Sequence, residues 1–451
     1  MINRPHSFRA NTRLDLSHHA PTHAQPPNVV RRSVLCCLYS NYPFGVGEEF
    51  AEDELREIWR DFDEILLLTL GKSTKITKFV PPNARIIRLR DVAHGFRSTL
   101  RALAALATPE YLAEIRTAML CCPTSLISTL RWLFTYGYFG QAIMASVRPV
   151  LRHPNCVLLY SYWFTIGPYA FAHLRAEGYI FKAVARAHGA DCFLDRQHLP
   201  FREVGLSGLD ELHSISRAGL QQISTGVLPN LPACQTNLFV SHLGVHNPRH
   251  LRSAYSQDGV IRVVTCSSII RVKRLDLIID ALTSCTAKTI QWDHFGDGAL
   301  RKRIHLLAAE RFASRPGLSF SFHGQVDRAT LFAFYESEPI DLFINFSDSE
   351  GIPVSIMEAF AFGVPAVARD VGGCGELVID GENGMLLPSN SGADDLSAAI
   401  SRFCDLPLTD RLKMRDNSFE AFSSNWDASA NFRRFSAQIR SRMCPGYITH
   451  D

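Results

Sequence analysis

Short runs of apolar, often β-branched residues alternate along the chain with longer stretches in which apolar positions recur every three or four residues, and the alternation occurs twice in the 451 residues. A short apolar run bounded by turn formers reads as a buried strand, and the 3.6-residue spacing reads as an amphipathic helix. In the first half this pattern predicts strands over 33–40, 64–70, 156–160 and 182–186, with helices over 49–62 and 96–120. In the second half it predicts strands over 261–266, 290–295, 318–322, 342–346, 365–368 and 384–387, again separated by helical segments. Strands that alternate with helices build a parallel sheet covered on both faces. The expected fold is therefore α/β, with two doubly wound Rossmann-like domains.

A polar run over 244–257 marks the junction, giving a first domain over 32–245 and a second over 258–424. Residues 1–31, rich in His, Pro, Arg and Asn, read as a disordered tail without the apolar core of a secretion signal. The segment 425–451 carries Trp426, Ala430, Phe432, Phe435 and Ile439 at helical spacing, so it either pads the second domain or crosses back to the first. Folds of this kind bind ligands at the carboxyl ends of their strands, which directs attention to the loops after each strand.

Composition narrows the picture only a little. With 46% hydrophobic and 20% charged residues the chain is an ordinary globular protein, and a formal charge of +3 gives no reason to expect nucleic acid as a partner. Positive charge does gather locally: 72–103 holds Lys72, Lys75, Lys78, Arg85, Arg88, Arg90, Arg97 and Arg101 against one acid, Asp91. Such a face suits anionic lipid head groups or a lipid-diphosphate acceptor, or is simply solvated. The segment 125–147 is apolar and aromatic, with Trp132, Phe134, Tyr136, Tyr138 and Phe139, but Arg131, Gln141 and two glycines break it below the length of a membrane span. It reads as a buried helical hairpin, with a membrane-surface helix as the alternative. The twelve cysteines show no zinc spacing and are expected to be reduced, which fits a cytoplasmic protein, either free or seated peripherally at the inner face of the plasma membrane.

The densest chemistry lies in 347–363, SDSEGIPVSIMEAFAFG. A strand ends, a Glu-Gly turn follows, and a helix opens near Pro353 and stops at Gly363. Free N–H groups around Ile352 to Ser355, on either side of Pro353 at the positive end of that helix, would face an anion. Glu350 sits in the turn and Glu358 lies eight residues on, among Ile356, Met357, Ala359 and Phe360. A carboxylate in apolar surroundings needs a partner, and a vicinal diol such as that of a ribose would supply one. The other reading of Glu358 is an exposed residue on an amphipathic helix.

This stretch is similar to the signature of glycosyltransferase family 4, retaining enzymes of GT-B architecture whose two domains face a cleft. The resemblance extends through 365–376 (PAVARDVGGCGE), 380–387 (DGENGMLL), 265–280 (TCSSIIRVKRLDLIID) and 294–300 (HFGDGAL), covering about 240–425. It implies that Glu350 lies against the donor sugar, that Glu358 and Gly351 belong to the donor site, that Lys273 reaches the diphosphate, that Gly296 passes the nucleotide base and that Gly373 forms a loop of close approach. Ser268 stands where many members carry an arginine, which leaves Arg271 and Arg274 as candidates to support Lys273.

In the first half, 40–50 (SNYPFGVGEEF) is similar to the glycine loop of capsule and exopolysaccharide transferases, so Gly45 and Gly47 are expected opposite the donor. His188, in 186–189 (RAHG), is expected beside the donor sugar, with Arg186 as a further candidate and a structural histidine as the alternative, while Tyr160, Tyr162 and Trp163 either shape an acceptor pocket or pack. The implied activity is transfer of a hexose from a nucleotide-sugar donor to a glycan or lipid-linked acceptor with retention, by same-face attack, in surface polysaccharide biosynthesis. Neither a metal nor a further cofactor is expected. The competing readings are a non-catalytic nucleotide-sugar-binding subunit of an assembly complex and a nucleotide-sugar epimerase.

Overall fold

The computed structural model describes residues 32–443 apart from 46, 94–95, 122–125, 154, 193–198, 232–233, 248, 288 and 442, so the tail over 1–31 lies outside the described residues. Two all-parallel sheets form the molecule. The first contains β1 (Ser33–Tyr39), β2 (Glu64–Thr69), β3 (Ala84–Arg88), β4 (Cys156–Ser161), β5 (Lys182–Ala187), β6 (Glu211–Ser214) and β7 (Asn237–Val240), in the order β3-β2-β1-β4-β5-β6-β7. The second contains β8 (Ile261–Cys266), β9 (Ile290–Phe295), β10 (Leu318–Gly324), β11 (Leu342–Asn345), β12 (Ala366–Arg369) and β13 (Gly384–Leu387), in the order β10-β9-β8-β11-β12-β13. The doubly wound α/β class expected from the sequence is what the chain adopts.

Strand alternation splits the core. Along β1, Val34, Cys36 and Leu38 enter one apolar cluster while Leu35, Cys37 and Tyr39 enter another on the opposite face. Both faces are buried, which is why β1 reads as a continuous apolar run. The strands that the apolar pattern misses lack such a run. β3 (ARIIR) is an edge strand and only half-buried. β6 (ELHS) is fully buried although three of its four residues are polar, because Glu211 and His213 satisfy one another at 3.0 Å and Lys182 pairs with Glu211 at 2.8 Å.

Two helical expectations need correction. The helix expected over 96–120 is two helices, Phe96–Ala105 and Pro109–Cys121, because Pro109 cannot continue the first and is well placed to open the second. The hairpin expected over 125–147 is one 26-residue helix, Leu126–Leu151. Its Leu133, Tyr136, Phe139, Gly140, Ile143, Met144 and Val147 are buried at three- and four-residue spacing, and the two glycines are absorbed rather than forming a turn. The expectation of fully reduced cysteines fails at Cys156, which is disulfide-bonded, while Cys36, Cys37, Cys285 and Cys374 are free and buried.

The last helix, Ala428–Arg440, leaves the second sheet and packs on helix Glu49–Ile58 of the first. Arg440 pairs with Asp61 at 2.8 Å, Ser429 donates to Glu57 at 2.8 Å, and Phe435 meets the Tyr160 ring at 5.5 Å. The two segments that join the domains run side by side: Val245 N donates to Trp426 O at 3.0 Å and Ala428 N to Val245 O at 3.1 Å.

Candidate functional site

In each sheet the strand order reverses beside its first strand, between β1 and β4 and between β8 and β11. The crevice at such a switch point, outside the carboxyl ends of the strands, is where doubly wound sheets take ligands. In the second sheet the loop after β8 carries Ser268 and Lys273, and the loop after β11 carries Glu350. Lys273 Nζ donates to Glu350 Oε1 at 2.6 Å, and Asn345 at the end of β11 donates to the same oxygen at 3.3 Å. The two residues that the resemblance assigns to diphosphate and sugar thus hold one another across the switch point.

The surrounding backbone is built on close approaches. Gly296 has φ +133°, and a Cβ there would lie 1.9 Å from Ser267 O; one on Gly298 would lie 2.5 Å from Ile269 O. The turn after β9 therefore lies directly on the loop after β8. Gly372 and Gly373 play the same part for Glu350: a Cβ on Gly372 would lie 1.9 Å from Glu350 O, and Gly373 N donates to Gly351 O at 2.8 Å. The close approach expected of Gly373 is thus to the Glu350–Gly351 backbone, which it supports from behind.

Ser268 is exposed. Arg274, a candidate to replace the missing arginine, is held by Asp276 and by Asp348 at 3.2 Å, and Arg369 joins the same Asp348 oxygen at 2.7 Å. Arg274 is thus already ion-paired, while Arg271 is exposed. Helix Val354–Ala361 starts after Pro353, its extended N-cap, which offers no side-chain acceptor to the first turn, and Ile352 beside it is buried. The leading N–H groups and the dipole are thereby left to an outside anion.

Glu358 is buried, 9% exposed, rather than on a solvated face. Burial pushes its carboxyl up to about 7; Arg328 pulls it back and Asp53 adds to the rise. Arg328 Nε lies 3.5 Å from Glu358 Oε1, and Arg328 Nη1 donates to Asp53 in helix Glu49–Ile58 of the first domain. Nothing in the sequence pattern marks Arg328 or Asp53.

In the first domain, Gly45 and Gly47 adopt φ +69° and +91° with open space where a Cβ would stand. The N–H groups of the same loop are nevertheless already engaged: Ser40, Asn41 and Tyr42 donate to the Glu48 carboxylate at 2.9, 2.7 and 2.7 Å, and Trp163 Nε1 donates to it at 2.6 Å. Glu48 shapes the loop from within. His188 is buried between the rings of Tyr162 and Trp163, and its Nε2 donates to Tyr162 O at 2.9 Å, leaving the Nδ1 lone pair. Burial and the nearby Arg186 charge push His188 down to about 3, so the ring is neutral at ordinary pH.

Arg186 does not reach the cleft. It is fully buried, pairs with Glu54 at 2.6 Å, donates to Ser241 O at 2.8 Å and lies 4.0 Å from the centre of the Phe435 ring. Tyr160 completes this knot by donating to Glu54 at 2.6 Å, so it packs rather than lines a pocket. The two domains touch at the predicted loops: a Cβ on Gly351 would lie 2.9 Å from Gly189 Cα, so the Glu350 turn and the His188 turn are in contact. Beside them Glu376 accepts from Arg217 N at 2.9 Å and Ala218 N at 3.1 Å, at the start of helix Arg217–Gly226.

Residues 251–421 match the family described as glycosyl transferases group 1. The chain is 26% identical over 247 residues to the putative colanic acid biosynthesis glycosyltransferase WcaL of Salmonella typhimurium, a match covering 51% of this chain and 58% of that protein. It is 30% identical over 162 residues to the GtfA subunit of the UDP-N-acetylglucosamine–peptide N-acetylglucosaminyltransferase of Streptococcus gordonii, covering 34% of this chain and 28% of that one. The matches thus span less than two thirds of either relative. Among solved structures, the apo lipopolysaccharide outer core galactosyltransferase WaaB superposes with a TM-score of 0.64 at 15% identity, over 91% of this chain and 99% of that one. Anabaena HepE in complex with UDP superposes with a TM-score of 0.61 at 16% identity, over 91% and 100% of the two chains. The chain thus has the GT-B fold, and its residues 251–421 are similar to the glycosyl transferases group 1 family.

Proposed function

We propose that this chain is a retaining glycosyltransferase that moves a hexose from a nucleoside-diphosphate donor to a glycan or lipid-linked acceptor in surface polysaccharide biosynthesis. The observation that carries this is the meeting of Lys273, Glu350 and the uncapped start of helix Val354–Ala361 at one switch point, with the His188 turn against it. The WcaL relative supports the pathway and the UDP-bound HepE supports the donor class. In the proposed step the bond from the sugar C1 to the diphosphate oxygen breaks, its electron pair staying on the diphosphate. The acceptor hydroxyl oxygen bonds to C1 on the same face and passes its proton to a departing diphosphate oxygen. Lys273 and the helix N–H groups stabilise the charge that develops there, and no metal is assigned to the step. Glu350 orients the sugar, Glu358 accepts from the ribose diol, and neutral His188 lies beside the sugar.

The test is thermal shift and calorimetry with UDP, GDP and ADP. One nucleotide is expected to stabilise the wild type, and Lys273→Ala to weaken its binding tenfold or more, on the scale of about 1.5–3 kcal/mol for a hydrogen bond to a charged group. Binding that ignores Lys273 would remove the site assignment. A second reading, a donor-binding subunit without turnover, is favoured by the exposed Ser268 and the engaged Arg274, and donor binding with no transfer to any acceptor would select it.

We also propose a peripheral seat at the inner face of the plasma membrane. Leu120 and Ile127 are 74% and 84% exposed, and Leu112, Met119 and Arg116 are exposed on the helix of Leu120, Leu130 and Arg131 on that of Ile127. The basic run over 72–103 contributes less than its count suggests, since Lys78 pairs with Glu49, Arg88 with Asp91, and Arg90 donates to Leu70 O. Sedimentation with phosphatidylglycerol vesicles is expected to carry down the wild type and to leave a Leu120→Asp, Ile127→Asp variant in solution. Equal sedimentation of the two would place the contact elsewhere.

A further inference from the structure

Arg328 opens helix Arg328–Ser337, whose N-cap Asp327 is committed to Thr330 N at 2.8 Å. The Arg328 guanidinium turns away from its own helix and lies 5.0 Å from the centre of the Phe50 ring. It donates to Asp53 and stands 3.5 Å from Glu358 Oε1. Phe50 and Asp53 are three residues apart and so share one face of helix Glu49–Ile58, the helix that follows the glycine loop. The three side chains are sheltered, 24%, 13% and 11% exposed for Arg328, Asp53 and Glu358. A single cation thus stands between carboxylates of two domains: Arg328 and Glu358 both belong to the second, so the pairing of Arg328 with Asp53 of the first is the one that requires the domains to be together. A charge-assisted hydrogen bond in so sheltered a place is worth more than a surface ion pair.

We propose that Arg328 is a clasp between the domains, a positioning residue that sets the closed position of the cleft and holds the glycine-loop helix of the first domain against the nucleotide side of the second. The clasp stands on its own contacts; its effect on transfer rests on the reading above in which Glu358 holds the ribose. Release of Asp53 frees the first domain to swing away while Lys273, Glu350 and Glu358 stay assembled on the second. The clasp therefore governs turnover rather than nucleotide binding.

Solution X-ray scattering and UDP calorimetry on the full chain test this, with Asp53→Asn, Asp53→Glu and Arg328→Gln. Asp53→Asn and Arg328→Gln are expected to have a larger radius of gyration than the wild type, and Asp53→Glu to return it. UDP affinity of Asp53→Asn is expected to stay within about threefold of wild type while turnover falls about tenfold, because misplacement of an otherwise intact site costs rate more than binding. Scattering of Asp53→Asn indistinguishable from wild type would overturn the clasp, whether or not Arg328→Gln folds. Failure of the wild type to bind UDP, GDP or ADP would instead remove the donor reading, and the scattering comparison would still decide the clasp.

Discussion

At pH 8, Glu358→Gln is expected to melt several degrees above the wild type and to lose the stabilisation that a nucleotide gives. Burial raises this carboxyl from 4.5 to about 7, with Arg328 opposing the rise and Asp53 adding to it, among the neutral Tyr335 and Cys266. A carboxyl whose folded value lies above its unfolded value favours folding below the unfolded value, and that advantage is lost as pH rises through the folded one. The penalty therefore grows from pH 4.5 to 7 and is constant above. At about 1.36 kcal/mol per unit it amounts to ~3 kcal/mol. Glutamine keeps the shape and removes the charge, so the gain appears at pH 8 and disappears near pH 4. The same titration makes nucleotide affinity of the wild type rise through pH 7, since the ionised carboxylate accepts both ribose hydroxyls, and the variant's profile should be flat. Melting curves that coincide at every pH would mean that Glu358 pays no such penalty.

Arg186→Met is expected to lose about 3–5 kcal/mol in urea unfolding, and Arg186→Met with Glu54→Leu to recover most of it. Breaking a buried ion pair leaves an uncompensated charge, whereas replacing both partners with apolar residues is often close to neutral. The single change also strips a donor from Ser241 O and a cation from the Phe435 ring, so recovery falls short of complete. A loss below about 1 kcal/mol would show that the pair is hydrated or readily replaced.

These two residues also mark the limits of what the chain announces about itself. Glu350 and Glu358 were legible as candidates because one short loop-and-helix segment carries both, and Lys273 because it lies in a second recognisable loop that the fold brings to within 2.6 Å of Glu350. The strands around them were legible because both faces of each sheet are buried. Arg186 misled because it lies near the end of an apolar strand, two residues before His188, and only the three-dimensional structure reveals Glu54, Tyr160 and Phe435 around it. Arg328 and Asp53 were invisible because they are 275 residues apart and neither belongs to a local pattern. Glu48 likewise looks like one more helix-start acid until its carboxylate is seen to gather three backbone donors of the glycine loop.

The return of helix Ala428–Arg440 to the first sheet bears on how the protein is made. Helix Glu49–Ile58 and the Glu54–Arg186 knot stay uncovered on their outer side until residues 428–440 are synthesised, since Phe432 and Phe435 close over them. Domains usually fold in the order in which they leave the ribosome. Here the second sheet, complete by residue 387, can fold first, and the earlier-made sheet waits for helix Ala428–Arg440. A nascent chain stalled before residue 428 would present a protease with a finished second domain and an unfinished first.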